Sequence, residues 1–412
     1  MSEHPAIIRT HLNIYIFENN RALNLEPITL TRPTFDVRCG AFTFIERLNF
    51  FLPDENIHLF VRPELEEVIK ETFPGHHVNP TSVDDGIWLL GNGLWSAEDI
   101  NAIKNQQETL FYKNRTLIGA NLTKESGQKW IESGGPIADE LVSDSAKSDL
   151  STQVVEYLWE AVALTNQQIE KDKQFLSEFS APATEATLIN SENIFAHKSA
   201  TIYPGAIINA SQGPVIIAND TVVKPLSYLE GPLYLGENCV VEPMTQIKGG
   251  CSIGPVCKLG GEINSVIIQG WSNKSHDGYL GDAYLGQWVN LGAGTVNSNL
   301  KNNYSDINVM VNGVMSDTGS KHVGCFMGDH VKTAIGTRLN TGTVIGTGSN
   351  VVSNGFPPKS IPPFSWCVDG KVQSVRWESF LETTKIVKSR RGLELSAAEK
   401  SLLDSIYRRK KT

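Results

Sequence analysis

A short polar segment at 272–277 contains the side chains of this chain that are best suited to acid–base chemistry. It reads Ser-Asn-Lys-Ser-His-Asp and ends two residues before Tyr279. Imidazole titrates near neutral pH, so His276 could act as a general base. A single histidine in a loop is more often solvated or bound locally. His276 therefore indicates a site only together with the residues around it.

Two motifs continue from His276. The first is His276-x-x-Tyr-Leu-Gly-Asp-Ala283, and the second is Val289-Asn-Leu-Gly-Ala-Gly-Thr295. In this order and spacing they resemble the acetyltransferase half of the bifunctional N-acetylglucosamine-1-phosphate uridyltransferase/glucosamine-1-phosphate N-acetyltransferase family. The whole chain, including Gly260-Gly-Glu262, is most similar to an alternative branch of that family with a short, diverged nucleotidyltransferase-like domain.

The resemblance implies roles for individual residues. His276 looks like the general base, and Glu262 resembles the carboxylate that orients it. The positions that match binding residues of the family are Tyr279 and Asn290 for the sugar phosphate, and Ala293 and Asn299 for acetyl-CoA.

The chemistry suits these residue types. A protonated amine must lose a proton before it can attack a thioester, and imidazole is matched to that task at neutral pH. A carboxylate behind the ring fixes its tautomer and stabilises the imidazolium. Backbone N–H groups of Gly292-Ala293-Gly294 could bind the developing oxyanion or the pantetheine arm, although coil corners also require glycine.

The chain departs from the family at two positions near the base. Asn264 stands where the family has a phosphate-binding lysine, and Leu300 stands where it has a tyrosine. Lys248 and Lys274 are the nearby cations that could replace the missing lysine.

A six-residue repeat predicts the elements that position these residues. Apolar residues recur at this interval without a break at Ile217, Val223, Leu229, Leu235, Val241, Ile247, Ile253 and Leu259. Such a period is typical of a left-handed parallel β-helix, in which each step forms one short strand and one bend around a stacked aliphatic interior. The phase resumes at Tyr279, 20 residues after Leu259 rather than 18. About two residues are therefore expected to leave the regular coil between these positions.

The predicted fold class is α/β plus all-β, in four parts. Residues 1–148 are predicted to form a short Rossmann-like, nucleotidyltransferase-type domain, because apolar strands alternate with helical patterns. Residues 149–182 have the 3/4 apolar spacing of a helical arm. Residues 190–356 carry the hexapeptide repeats of the β-helix, and residues 373–412 are predicted to form C-terminal helices.

The first domain lacks the glycine-rich loop with which nucleotidyltransferases of this family begin. The segment that replaces it contains Arg32 and Arg38, which could bind nucleotide phosphates or form structural ion pairs. Asn92 stands where the family has a magnesium-ligating aspartate, and its amide brings no charge to a metal site. We therefore expect a related fold with reduced or absent activity, and a role for Mg²⁺ only if this domain is active.

Composition excludes several other classes. The net charge of −9 argues against a nucleic-acid-binding protein. No apolar run is long enough to cross a membrane and no leader peptide is recognisable, so we expect a cytoplasmic protein without a membrane partner. No paired-cysteine motif indicates a metal site. A metal site across the coils that uses His322 and His330 stays open as an alternative, although the expected third ligand is missing.

The predicted function is acetyl-CoA-dependent N-acetylation of an amino-sugar 1-phosphate, most simply glucosamine 1-phosphate, in UDP-N-acetylglucosamine synthesis. The resemblance also implies a homotrimer with each site between neighbouring coils. Two alternatives stay open. The protein could be bifunctional and also act as a UDP-N-acetylglucosamine diphosphorylase, or it could be a non-catalytic scaffold that binds sugar nucleotides.

Overall fold

The computed structural model describes residues 11–136 and 146–409, which divide into two compact units. One unit contains the described chain up to Asn20 together with Ile45–Val154, and the other contains Arg21–Phe44 and the chain from Val155 onward. Residues 21–44 fall inside the expected first domain but belong to the second unit, because their side chains pack on the coils. Residues 1–10 and 137–145 of that domain lie outside the described residues, as do 410–412 of the C-terminal range.

The first unit is a mixed sheet with helices. Its central strand, Asn13–Phe17, pairs in parallel with the strands on both sides, and its last four residues are fully buried. In spatial order the strands are Ala146–Asp149, Thr109–Lys113, Thr116–Leu122, Gly86–Leu90, Asn13–Phe17, Asn56–Phe60 and His77–Val78. A separate antiparallel pair joins Gly93–Leu94 to Gln153–Val154.

Local sequence explains where the helices of this unit begin. Ser96 accepts a hydrogen bond from the Asp99 amide while Asp99 binds back to Ser96, and the Thr123 side chain caps the next helix by accepting a hydrogen bond from the Ser126 amide. The helices are α1 Phe44–Phe51, α2 Glu66–Thr72, α3 Ala97–Lys104 and α4 Lys124–Glu132.

The second unit begins with a segment that returns to the coils from the N-terminal part of the chain. It contains short 3-10 turns at Asn20–Leu25, Ile28–Leu30 and Thr34–Asp36, and a hairpin of Arg38–Cys39 with Phe42–Thr43. Helix α5, Leu158–Asp172, occupies part of the predicted arm and turns its apolar stripe inward. Ala41 and α5 residue Ile169 pack on Ile216 of a coil strand in a small second core.

The remaining chain forms coils of short parallel strands in three faces. The first face consists of Ile194–His197, Val215–Ile217, Leu233–Leu235, Cys251–Ile253, Cys325–Met327, Thr343–Ile345 and Ser360–Ile361, with Phe179–Ser180 antiparallel at its edge. The second consists of Thr201–Ile202, Val222–Val223, Val240–Val241, Lys258–Leu259, Asn273–Lys274, Lys332–Thr333, Asn350–Val352 and Ser365–Val368, with Lys371–Ser374 antiparallel at its end. The third consists of Thr187–Ile189, Ile207–Asn209, Tyr228–Glu230, Gln246–Ile247, Val296–Asn297 and Arg338–Leu339. Two long strands, Glu262–Gly270 and Tyr279–Gln287, turn a corner and belong to the third and first faces together.

The inward residues confirm the six-residue repeat and the predicted fold class. All eight residues of the unbroken run, from Ile217 to Leu259, are fully buried and belong to one continuous core. Successive coils stack them in parallel register, as Val223, Val241 and Leu259 illustrate on the second face. The aliphatic stack is therefore the main hydrophobic core of this unit.

The prediction for 259–279 was wrong in detail. Coils here lose residues instead of gaining them, since Lys258 pairs with Asn273 only 15 residues later. The tight corner at Gly260 and Gly261 explains the loss: Gly261 has a φ of +75°, and a Cβ on Gly260 would lie 2.3 Å from the Ser275 carbonyl oxygen. As a result Ile263 and Leu280 point inward, and Tyr279 faces outward beside Glu262.

Two further elements complete the unit. Between Asn299 and Val323 the chain leaves the coils and forms a hairpin of Asn308–Val311 with Val314–Asp317. The C-terminal helices are α6 Trp377–Ser389 and α7 Ala397–Arg409, and the Ser396 hydroxyl accepts a hydrogen bond from the Glu399 amide at the start of α7. None of the helices in the described parts of the chain combines the length and apolarity needed to span a membrane.

Candidate functional site

His276 lies on an exposed bend between the strands Asn273–Lys274 and Tyr279–Gln287. Three backbone contacts hold this bend: the carbonyls of His276, Asp277 and Gly278 accept hydrogen bonds from Lys274 Nζ, the Gly294 amide and the Glu262 amide. Within 11–136 and 146–409, no group forms a hydrogen bond to the imidazole ring itself. The ring is therefore free to bind a substrate proton.

A cleft of about 660 Å³ opens beside His276 within the second unit. It brings together three of the predicted residues, His276, Asn290 and Ala293. A chain of hydrogen bonds crosses it, in which Arg391 donates to the Asn273 side chain at 3.2 Å and Asn273 donates to Asn290 at 3.4 Å. The predicted base and two predicted binding positions therefore share one concave surface, as a substrate site requires.

The cleft also contains cations that the sequence motifs did not reveal. They are Lys258, Lys332, Arg390 and Arg391. Burial lowers the pKa of Lys332 to about 8, which leaves its ammonium largely protonated at neutral pH. The two arginines follow α6 directly, so the C-terminal helices contribute to the cleft. Four cations in one cleft make it a favourable place for a polyanion.

An aromatic surface lies in the same cleft. The indoles of Trp271 and Trp288 stack with ring centroids 5.0 Å apart, and both line the cavity. Lys388 of α6 lies over the Trp288 ring at 5.6 Å, and Trp288 is 6% exposed while Trp271 is only partly buried. Trp271 is thus the member of the pair that a planar ligand could reach.

The other predicted substrate residues form a second group on the third face. Lys248 Nζ lies 2.6 Å from Glu262 Oε1, and both side chains are about half exposed. Glu262 is beside Tyr279 in the parallel register, and the Tyr279 hydroxyl accepts a hydrogen bond at 3.0 Å from Asn299. Asn299, predicted to bind acetyl-CoA, therefore lies with this group and does not line the cleft that contains Ala293. Burial raises the pKa of the Tyr279 phenol, so it remains a neutral hydrogen-bonding group.

Both Asn264 and Glu262 lie close to Lys248, the cation of this second group. Gln246 pairs with Glu262 and Ile247 with Ile263, which puts Lys248 beside Asn264. The carboxylate of Glu262 binds Lys248 and makes no hydrogen bond to His276 in the described chain. Its amide does bind Gly278 two residues after the base, so Glu262 is connected to the bend through the backbone.

Lys274 has a different environment from the other cations. Its side chain is 2% exposed and donates to the carbonyls of Gly260 and His276 at 2.9 and 2.5 Å. Burial lowers the pKa of this ammonium to about 8, and nearby Asp277 opposes the shift. Lys274 is therefore bound inside the coil, and Lys248 is the accessible cation of the two considered from sequence.

The backbone amides expected near an oxyanion are partly occupied. Gly292 donates its N–H to Thr333 and Gly294 donates to the Asp277 carbonyl, both at 3.1 Å. In the described parts of the chain the Ala293 amide has no hydrogen-bond partner, and Ala293 is exposed in the cleft. Of the three amides suggested by the sequence, only that of Ala293 is available to a ligand.

The two arginines considered as phosphate ligands are buried in the second unit. Arg32 Nη2 lies 2.6 Å from Asp329 and its Nη1 lies 3.2 Å from Asp36. The Arg38 amide binds the hydroxyl of Tyr284, and its guanidinium lies over the Tyr234 ring. Both arginines are 4% exposed, which favours the structural role that the sequence left open.

The remaining candidate residues, Asn92, His330 and His322, have different environments. Asn92 follows the strand Gly86–Leu90 of the first unit and is 3% exposed. His330 is buried against Trp288, whereas His322 is exposed. Across the described residues no three His, Cys, Asp or Glu side chains converge on a possible metal position.

Parts of this chain are similar in sequence to known sugar-phosphate nucleotidyltransferases. Residues 14–180 match the family model described as sugar nucleotidyl transferase. A bifunctional sugar-1-phosphate nucleotidylyltransferase/acetyltransferase from Sulfurisphaera tokodaii is 37% identical over 138 residues, which are 33% of this chain and 34% of that protein. The matched part of this chain thus spans about a third of the relative's length.

Two solved structures of AntD, an N-acyltransferase from Bacillus cereus, were also found. One contains dTDP and coenzyme A, is 12% identical and covers 49% of this chain and 91% of its own, with a TM-score of 0.18. The other contains dTDP-4-amino-4,6-dideoxyglucose and coenzyme A, is 16% identical and covers 53% and 96%, with a TM-score of 0.21. TM-scores this low carry no argument about fold or function. Residues 14–180 are therefore similar to sugar nucleotidyl transferases, and a third of the chain is similar to part of a bifunctional sugar-1-phosphate nucleotidylyltransferase/acetyltransferase.

Proposed function

We propose that this protein is an acetyl-CoA-dependent N-acetyltransferase of an amino-sugar 1-phosphate, with glucosamine 1-phosphate as its substrate in UDP-N-acetylglucosamine synthesis. The observation that supports this most strongly is the cleft in which His276, Asn290 and Ala293 meet a cluster of cations. The proposal includes a cytoplasmic homotrimer with sites between neighbouring coils, as the family resemblance implies.

His276 would remove the proton from the substrate's ammonium group. The freed amine then attacks the thioester carbonyl, and the thiolate of coenzyme A leaves. An exposed imidazole without a protein partner can accept this proton directly. The unpartnered amide of Ala293 is a donor for the oxygen on which negative charge develops.

The cationic part of the cleft fits the nucleotide end of acetyl-CoA. Its phosphates would bind Lys258, Lys332 and the arginine pair after α6, because guanidinium groups bind phosphate with two parallel hydrogen bonds. Trp271 offers a partly exposed indole face beside these cations, on which a purine can stack. Phosphate and aromatic recognition in one cleft is the combination that this cosubstrate needs.

The second group would bind the sugar phosphate. Lys248 lies beside Asn264, so it would supply the cation that the family has at position 264. The Tyr279 hydroxyl of this group and the exposed Asn290 amide of the cleft are neutral groups suited to sugar hydroxyls. Binding of a phosphate to Lys248 would compete with its contact to Glu262 and release that carboxylate for the neighbouring bend.

The function is tested by coenzyme A release from acetyl-CoA in the presence of amino-sugar phosphates. Glucosamine 1-phosphate should be acetylated, whereas glucosamine and glucosamine 6-phosphate should react at least tenfold more slowly if the 1-phosphate is bound as proposed. Release that is equal for all three would contradict the 1-phosphate site. Tight binding of a sugar nucleotide without any acetylation would instead support the scaffold alternative.

Arg391→Ala tests the acyl-donor part of the cleft. A charge-assisted hydrogen bond contributes about 1.5–3 kcal/mol, so we expect the KM for acetyl-CoA to rise roughly tenfold or more. The KM for the amino-sugar phosphate should change little. Steady-state kinetics with each substrate varied in turn measures both values.

Arg408→Ala is the matched control, since Arg408 is a C-terminal arginine whose side chain is 77% exposed and paired with Asp404 on α7. It should leave both KM values unchanged. A rise in the sugar-phosphate KM alone for Arg391→Ala would assign these cations to the other substrate.

A second candidate function is nucleotidyl transfer by the first unit, which the family match over residues 14–180 favours. The S. tokodaii relative is named as bifunctional. Against it stand the neutral amide of Asn92 at the expected metal-ligand position and the engagement of Arg32 and Arg38 in the second unit.

We expect the intact protein to release little or no pyrophosphate from UTP and N-acetylglucosamine 1-phosphate, with or without Mg²⁺. The physical reason is the missing charge, because Mg²⁺ binds proteins mainly through one or two carboxylates and substrate phosphates. A coupled pyrophosphate assay on the full chain measures this, with Asn92→Asp beside it to test whether a carboxylate restores metal dependence. Robust Mg²⁺-dependent release by the unchanged protein would establish the bifunctional alternative.

A further inference from the structure

Lys274 occupies an inward position of the coil, in a column that is otherwise mostly apolar. In the parallel register it stacks on Leu259, and because Asn273 pairs with Asn290, Leu291 follows it in the next coil. Leu259 is fully buried, and Leu291 and Lys274 are 3% and 2% exposed. A leucine or methionine would fill this position without bringing a charge into the core.

The ammonium group does not reach solvent but ends at two carbonyl oxygens. One belongs to Gly260, at the tight corner before Glu262, and the other belongs to His276. These two carbonyls lie on successive coils, so Lys274 joins the base-bearing bend to the corner of the coil below it. Its hydrogen bond to His276 runs between residues only two apart, which restricts the backbone of the bend directly.

Stability does not explain a lysine here. Burying a charged group costs free energy that an apolar side chain of similar volume would not. The contact with His276 offers a different reason. Since the imidazole makes no hydrogen bond in the described chain, the direction of the ring depends on how firmly the backbone of residues 275–278 is held.

We propose that Lys274 is a positioning residue that orients His276 by anchoring its carbonyl from inside the coil. The inference rests on the proposed function, in which His276 is the base, and it assigns Lys274 to the bend instead of to the substrate phosphate. Small errors in the placement of a reacting group lower rates strongly, with about 1 Å corresponding to roughly a hundredfold loss.

The test is Lys274→Met, which keeps the length of the side chain and removes its charge. We expect a melting temperature about equal to that of the wild type, because relief of charge burial opposes the loss of the hydrogen bonds to the Gly260 and His276 carbonyls. The kcat should be lower by roughly tenfold to a hundredfold, with KM values within a factor of about three. Hydrogen–deuterium exchange should be faster in a peptide covering residues 275–278. Loss of activity without loss of stability is a combination that a merely structural lysine would not produce.

Lys224→Met is the control, because Lys224 is a coil-surface lysine paired with Glu242 and should affect neither exchange of the bend nor kcat. Lys274→Leu, which matches both neighbours in the column, guards against a misfit of methionine. Wild-type kcat and exchange in either folded variant would overturn the inference, and so would unfolding of both variants. The exchange measurement does not depend on turnover. If the wild-type protein did not acetylate, the proposed function would be wrong, but the exchange result would still show whether Lys274 orders the bend.

Discussion

His276→Ala should lower kcat by roughly two to four orders of magnitude while the protein remains folded. This is the usual contribution of a general base to a reaction whose nucleophile begins protonated. Folding should survive because the three hydrogen bonds that hold the bend are made by backbone carbonyls, which alanine retains. Turnover measured over a pH series, with circular dichroism as the check on folding, tests both expectations.

His197→Ala is the matched control for this experiment. His197 is a coil histidine whose Nδ1 bonds to nearby Ser199, and it is not among the described residues that line the cleft. Its replacement should leave kcat unchanged. If folded His276→Ala protein acetylates at a rate close to that of the control, His276 has no part in proton transfer.

Ile247→Asp should disrupt the stack of coils. Ile247 is fully buried and lies between Leu229 and Ile263 in the parallel register of the third face. A carboxylate there has no partner, and an unpaired buried charge costs several kcal/mol, a large part of the stability of a typical domain. We expect loss of the cooperative thermal transition or a large fall in melting temperature.

Gln246→Asp provides the comparison, because it introduces the same side chain one residue earlier on the exposed side of the strand. Strand geometry points neighbouring side chains to opposite faces, so only the inward substitution should be severe. Equal melting temperatures for the two variants would show that the inward phase of the repeat has been assigned to the wrong residues.

The repeat predicted most of the coil because its physical cause is local. Each inward residue must be apolar and the next corner must follow at a fixed distance, so the coil produces a regular pattern in the sequence. The six-residue pattern breaks at Gly260-Gly261, where a shorter corner makes Ile263 the next inward residue after Leu259 and turns Tyr279 outward. Tyr279 satisfied the six-residue spacing by coincidence, since the true inward residue is its neighbour Leu280.

The candidate site was predictable only in its contiguous parts. His276, Asn290 and Ala293 lie in two adjacent motifs and meet in one cleft. Arg390 and Arg391 join them through the packing of α6 on the coils, which no spacing in the sequence expresses. The burial of Lys274 was not predictable in this way, because polarity predicts exposure and this lysine is 2% exposed.

The return of residues 21–44 to the coils has a consequence for the order in which the chain can fold during synthesis. Arg32 binds Asp329, which lies 297 residues later, and the Arg38 amide binds Tyr284, 246 residues later. At a synthesis rate of about 5–20 residues per second, Arg32 waits on the order of 15 to 60 seconds for its carboxylate. Phe35 and Val37, which are fully buried in the finished protein, belong to the same early segment. A nascent chain that ends before the coils are made therefore leaves this early segment without its partners and exposed to chaperones or to aggregation.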